Sequence, residues 1–266
     1  MLHKIKRKAV SVLFGMGLTA CGTSAPVEKD FGTLVFQDEF TTNGPLSDYV
    51  VNNPDVLPLV EAKDGRYQAF LEDNTDDKTL HFNQSQGRLD AKKVRFPFTV
   101  VVRNIGIHKP DDVKLTPEHS DSTYVFAGLQ VHSLNLDERV SSHVVVGHRG
   151  SHFNTVEGKN TVNGYSWVTD VGVDKALNGR ADILIQGLED KTLRVFWQVP
   201  NPKPGELKDR WIAYNAHAKL PGDAPAYGDE VYVGLITYAQ GENGLPFVGT
   251  ADSLSIYQSS AGKYFK

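Results

Sequence analysis

The chain has 266 residues, with 28 Lys and Arg against 32 Asp and Glu, a net charge of −4, and a single cysteine, Cys21. That balance excludes the basic stripe of a nucleic-acid-binding protein, and one thiol excludes an internal disulfide framework. A chain of this length can bury enough surface to fold without such staples. It opens with a basic head, Met1-Leu2-His3-Lys4-Ile5-Lys6-Arg7-Lys8, then an apolar stretch from Ala9 to Ala20, then Cys21. This is the pattern of an export signal, in which the charges stay on the cytoplasmic side while the apolar run partitions into the membrane. The run is too short to cross about 30 Å of hydrocarbon as a helix, so it does not make a stable span.

The apolar run ends in Leu18-Thr19-Ala20-Cys21, which resembles the lipobox of bacterial lipoproteins. The resemblance implies a diacylglyceryl group on the Cys21 thiol and cleavage just before it. Residues 1–20 are then the signal peptide and residues 21–30 a lipidated tether, small, polar and broken by Pro26. The resemblance also implies a lipid-anchored protein of the cell envelope. Gly22, where retained lipoproteins carry Asp, implies the outer membrane. Cleavage removes four basic residues and no acidic one, leaving 24 basic against 32 acidic. With Cys21 acylated, no thiolate chemistry remains.

Beyond residue 30 no stretch keeps a 3.6-residue apolar period. Short runs of β-branched and aromatic residues recur instead, bounded by Gly, Pro, Asn and Asp. In chain order they are Leu34–Phe40, Tyr67–Leu71, Phe96–Arg103, Tyr124–Ser133, Val140–His148, Ala181–Gln186, Leu193–Val199, Val231–Tyr238 and Ser253–Tyr257. Tyr124–Ser133 and Arg139–His148 flank Leu134–Glu138 as a hairpin. Ile183–Gln186 and Leu193–Val199 do the same around Gly187–Lys191, where Gly and the Glu-Asp pair supply turn chemistry. Alternation sends Leu193, Val195, Trp197 and Val199 to one face and Arg194, Phe196 and Gln198 to the other. The stretch Glu157–Trp167 is polar, broken by Gly and tipped by aromatics, and reads as an ordered loop. Many strands without an internal repeat or composition break predict one β-sandwich over residues 31–266.

The order of these features resembles the concanavalin A-like lectin/glucanase superfamily. It runs from Leu34-Val35-Phe36-Gln37-Asp38-Glu39-Phe40 through Phe126-Ala127-Gly128-Leu129-Gln130-Val131 and Leu193-Arg194-Val195-Phe196-Trp197 to Ala251-Asp252-Ser253-Leu254. The resemblance covers about residues 31–258 and implies an all-β, two-sheet jelly roll whose first and last strands pair, bringing Phe36 near Ser255. It implies no required cofactor. It does suggest a structural Ca²⁺ held near Asp38 and Asp252, since hard oxygen ligands suit calcium.

The superfamily spans enzymes and binding modules, so function rests on particular residues. The Glu-x-Asp-x-x-Glu strand of the related glucanases is absent, and the adjacent acidic pairs point to opposite faces. Gln130-Val131-His132 resembles the Gln-Ile/Val-His motif of family-seven alginate lyases. This implies His132 as base, with Gln130 and Arg149 against a uronate carboxylate, although the other two strand motifs of those lyases are missing. A neutral imidazole suits proton abstraction. His143, His148 and His152 follow nearby, and imidazoles on adjacent strands can converge on zinc. Glycan binding needs an aromatic plate ringed by planar hydrogen-bonding groups. Trp167, Trp197, Trp211, Tyr165, Tyr214 and Tyr238 are the available plates, and Gln130, Arg149, Asn160, Asn163 and Gln198 the polar partners, with His143 and His148 beside them. The preferred expectation is a membrane-anchored lipoprotein whose jelly roll binds a polysaccharide. A polysaccharide lyase or hydrolase is the alternative, and a structural envelope domain the third reading.

Overall fold

The computed structural model describes residues 31–57, 59–71, 87–118, 121, 123–171, 176–200, 211–240 and 246–259. The export signal, Cys21 and the tether lie outside these residues. The strands in chain order are β1 (Thr33–Asp38), β2 (Gly44–Pro45), β3 (Val50–Asn52), β4 (Leu59–Lys63), β5 (Arg66–Leu71), β6 (Arg88–Arg95), β7 (Phe98–His108), β8 (Tyr124–His132) and β9 (Ser141–Arg149). They continue with β10 (His152–Val162), β11 (Tyr165–Val171), β12 (Arg180–Gly187), β13 (Leu193–Gln198), β14 (Ile212–Ala213), β15 (Glu230–Gln240), β16 (Phe247–Ala251) and β17 (Ser253–Gln258).

They form two antiparallel sheets, the all-β jelly-roll sandwich expected from the sequence. The ten-stranded sheet runs β14-β13-β12-β7-β16-β5-β4-β2, with β17 and β1 beside the first half of β7. The seven-stranded sheet runs β11-β10-β9-β8-β15-β6-β3. The first and last strands pair, with Phe36 opposite Ile256 and Gln37 opposite Ser255, one residue from the expected register.

Alternation explains the core. Val100, Val102, Ile105 and Ile107 of β7 face Val125, Ala127, Leu129 and Val131 of β8, with Ile183, Ile185, Val233 and Leu235 around them. Each such side chain, withdrawn from water, contributes about 1.5–3 kcal/mol. A smaller apolar cluster of Phe31, Val101, Leu184, Phe196, Trp211 and Ala218 covers part of the outer face of the ten-stranded sheet. Thus Leu193–Val199 divides its faces as expected, and both Trp197 and Trp211 pack rather than present a plate.

Two elements differ from the sequence reading. Glu157–Trp167 is no loop: it belongs to the hairpin β10–β11, closed by Asn163 and Gly164 at φ 52° and 84°. Two positive φ values in a two-residue connection are a type I′ turn, the form that matches strand twist. The segment extends the sheet at its edge and does not cover a face. The second is β6 (Arg88–Arg95), a strand outside the runs read from the sequence. Here the pattern is inverted, because Leu89 and Ala91 point outward into a third cluster while Asp90 points between the sheets. Asp90 is wholly buried, held by Arg88 Nη2 at 3.0 Å and by the Tyr67 hydroxyl at 3.1 Å. An ion pair with a further donor is what permits a carboxylate at that depth.

Candidate functional site

The outer face of the seven-stranded sheet carries the polar residues that the sandwich core excludes. Register arranges them in rows across the strands. One row is Ala91, Gly234, Gln130, His143, Lys159 and Val168. The next is Leu89, Ile236, Gly128, Val145, Glu157 and Asp170. On the other side His132 lies between Tyr232 and Ser141. Gln130, His132 and His143 therefore share a face, as the hairpin register allowed, and Gln130 and His143 are direct cross-strand partners. Gly128 is required there, because a Cβ would stand 2.1 Å from the Val144 carbonyl oxygen of β9.

These groups are buried. Gln130 is 1% exposed, and neither its amide oxygen nor its amide nitrogen has a hydrogen-bond partner. A buried amide left unpaired costs about 1–3 kcal/mol per group. Tyr238 donates to Glu157 Oε1 at 3.3 Å and sits 3.4 Å from His143 Nε2. Burial pushes the Glu157 carboxyl up to about 7, against the pull of Arg149 and Lys159. Burial likewise lowers Lys159, opposed by Glu157. It holds His143 and His132 below the usual imidazole range, so both rings are neutral at pH 7.

The buried row opens at the β9–β11 end. There a cleft of about 590 Å³ is lined by Asp121, Tyr124, Arg149, Gly150, His152 and Asp170, among others. Arg149 spans two carboxylates, with Nε 3.6 Å from Glu157 Oε2 and Nη1 3.5 Å from Asp170 Oδ1. His152 Nδ1 lies 2.8 Å from Asp170 Oδ2, and Thr155 Oγ1 donates to the same oxygen at 3.4 Å. Glu157 and Asp170 face each other directly across β10 and β11. Neither was singled out from the sequence.

The other expected residues scatter. Arg149 stands opposite Tyr124, whereas His132 stands opposite Ser141 at the far end of β8. At the rise of a strand these positions are about 27 Å apart, so His132 and Arg149 cannot flank one uronate carboxylate. His132 Nδ1 also lies 2.9 Å from the Ser133 carbonyl. His148 turns to the sandwich side, with Nε2 3.1 Å from the Pro117 carbonyl, and so cannot converge with His143 on a metal. Asn160 and Trp167 are also on the inner side of the sheet. Asn160 accepts from Ser142 Oγ at 2.7 Å and donates to the Pro221 carbonyl at 3.1 Å. Trp167 packs over Gly222, where a Cβ would lie 2.0 Å from its ring. Asn163 is a turn residue, and Gln198 belongs to the other sheet, donating to Asp182 at 3.0 Å. Tyr214 is held by the Thr169 carbonyl, to which it donates at 2.6 Å. Tyr238, Gln130 and His143 come together, and Arg149 joins Tyr238 through Glu157.

The residues suggested for calcium do not fit that ion. Asp252 already accepts from Asn104 Nδ2 at 2.8 Å and pairs with Arg66 Nε at 2.8 Å. Beside it lies Arg180, which burial and the neighbouring Arg66 charge push down to about 9. Asp38 accepts from the Phe40 amide at 2.8 Å and the Tyr49 hydroxyl at 3.1 Å, and Lys92 stands over the Phe36 and Tyr49 rings. A cation at either carboxylate would meet a fixed positive charge. Among the described residues no group of three or more His, Cys, Asp or Glu is placed to hold a metal.

No family model and no curated protein matches this chain. Solved structures do. A functionally unknown protein from Saccharomyces cerevisiae superposes with a TM-score of 0.56 at 16% identity, covering 82% of this chain and 100% of that one. LamAcat from Zobellia galactanivorans gives 0.50 at 12% identity, covering 86% and 99%. A xylan β-1,4-xylosidase from Bacillus halodurans gives 0.50 at 12% identity, and 84% of this chain corresponds to 39% of that one. At these identities the likeness establishes the two-sheet fold.

Proposed function

We propose that this protein is an envelope lipoprotein whose concanavalin A-like jelly roll binds polysaccharide at the β9–β11 end of the seven-stranded sheet. The observation that carries the reading is the cleft itself, where Arg149, Asp170 and His152 stand as planar hydrogen-bonding groups beside the ring of Tyr124. Such groups bridge sugar hydroxyls while an aromatic ring meets the apolar face of a pyranose. The xylosidase among the structural neighbours acts on a polysaccharide, which agrees with this reading without deciding it. Binding to a polysaccharide panel, lost in Tyr124→Ala by at least about tenfold, or 1.4 kcal/mol, is the expected result. Undiminished binding by that variant would remove the cleft from the reading. For the anchor, mass spectrometry of the mature N-terminus should find a diacylglyceryl group on Cys21, absent in Cys21→Ser.

A hydrolase reading is favoured by one observation, the cross-strand pair of Glu157 and Asp170 with unequal surroundings. Directly paired residues place their Cβ atoms about 4.5–5.5 Å apart, so the two carboxyls can stand as a hydrolase pair, the one with the raised pKa serving as acid. Release of reducing ends from a bound polysaccharide, abolished in Glu157→Gln, is its test. Binding without release excludes it.

A further inference from the structure

The cleft presents an arginine, yet its charge is already matched. Arg149 lies between Glu157 and Asp170, at 3.6 and 3.5 Å, and Asp121 lines the same cleft. Behind it Lys159 neighbours Glu157 on the same face of β10, while His152 is tied to Asp170. Facing this end of the sheet are thus two cations, the carboxylates of Asp170 and Asp121, and the Glu157 carboxyl that burial pushes up to about 7, with His152 and His143 as the titratable neighbours. A uronate or sulfate entering here would bring its negative charge against Asp170 and Asp121. Arg149, already shared with Asp170 and Glu157, offsets little of that like-charge repulsion.

A neutral sugar meets no such barrier. A hydroxyl both donates and accepts, so a vicinal pair can accept from remaining guanidinium N–H groups while donating to the Asp170 carboxylate. The carboxylate–guanidinium bridge stays intact, and Tyr124 supplies the apolar wall. Resting on the glycan-binding reading, we infer that the ligand is an uncharged polysaccharide. Asp170 determines that specificity by neutralising Arg149.

The test is isothermal titration of the full chain with xylan and laminarin as neutral probes, and with alginate and polygalacturonate as acidic ones. At least one neutral probe should bind, with the acidic probes at least tenfold weaker. Alginate or polygalacturonate binding more tightly than both neutral probes overturns the inference and leaves the glycan reading standing. Failure of all four, repeated on a wider neutral and acidic array, removes both. Asp170→Asn, at a partly exposed position, separates charge matching from shape. It should raise alginate affinity several-fold in a manner suppressed by salt, and it should weaken the neutral probe. An unchanged preference in a folded Asp170→Asn protein also overturns the inference.

Discussion

The two outer faces of this sandwich arise from the same alternation and are used oppositely. On the ten-stranded sheet Phe31, Leu184, Phe196 and Trp211 close over the strands, and the nearby charges pair locally, Arg103 with Asp182 at 3.0 Å and Arg66 with Asp252 at 2.8 Å. Phe126, Val145 and Ile236 also pack on the seven-stranded sheet, but there they surround Gln130, His143 and Tyr238 and give way to an open cleft. Apolar burial alone therefore does not mark a face as structural. Buried polar groups occur on both, Arg180 and Asp182 on the first and Gln130 and His143 on the second, and what separates the two is the cleft at the β9–β11 end of the second. The first face is closed by apolar side chains, and the second is not.

If that division is right, the largest loss of stability belongs to the closed face. Phe196→Ala, at a fully buried ring, should lower unfolding free energy by about 3–5 kcal/mol without changing ligand affinity at a temperature where the variant is folded. A matching loss of affinity would break the comparison. Glu157→Gln comes next and acts through pH. The folded carboxyl titrates near 7, against about 4.3 when unfolded. Its contribution is full below about pH 4 and lost as pH rises through 7. Denaturant melts from pH 4 to 8 should show the wild type weakening by up to about 3 kcal/mol relative to the variant. Parallel curves would deny that Glu157 is buried as a proton-holding acid among Arg149, Lys159, Asp170 and Tyr238.

Gly164→Ala should cost about 1 kcal/mol, because an L side chain is strained at the φ of 84° that closes β10–β11. It sharpens the comparison if affinity falls too, since that turn sets the register bringing Glu157 opposite Asp170. The smallest effect concerns Asp38 and Asp252 on the ten-stranded sheet. A site holding calcium at a thousandfold its Kd would lose about 4 kcal/mol on chelation. With Arg66 and Lys92 beside the two carboxylates, melting curves with EGTA and with added calcium should superpose.

Much of the fold was legible because core-facing strands alternate cleanly. The Tyr124–Ser133 hairpin and the outward turn of Phe196 follow from that period, whereas the pairing of chain ends followed from the superfamily resemblance. Strand β6 was not legible, because its sandwich-facing positions hold Arg88 and Asp90, and only the Tyr67 hydroxyl across the core explains them. The site was half legible. Gln130 and His143 came together as the register allowed, whereas Glu157 and Asp170 were missed through a turn. Read as a type I′ turn, Asn163-Gly164 places Val162 opposite Tyr165, and five residues back on each side Glu157 meets Asp170. Asn160 and Trp167 then fall on the inner face by the same count. Arg149 and His132 were grouped by nearness in sequence, though antiparallel strands carried them to opposite ends.

The pairing of β1 with β17 has a mechanical consequence. The chain enters the fold at Thr33, next to Gln258, on the ten-stranded sheet. Were the chain anchored through Cys21 as proposed, the pull would fall on that sheet, while the cleft belongs to the other layer, about 10 Å away across the core. Load along such an anchor would reach β1 and β17 before β10 or β11. The layer holding the cleft would ride as a passenger, away from the mooring.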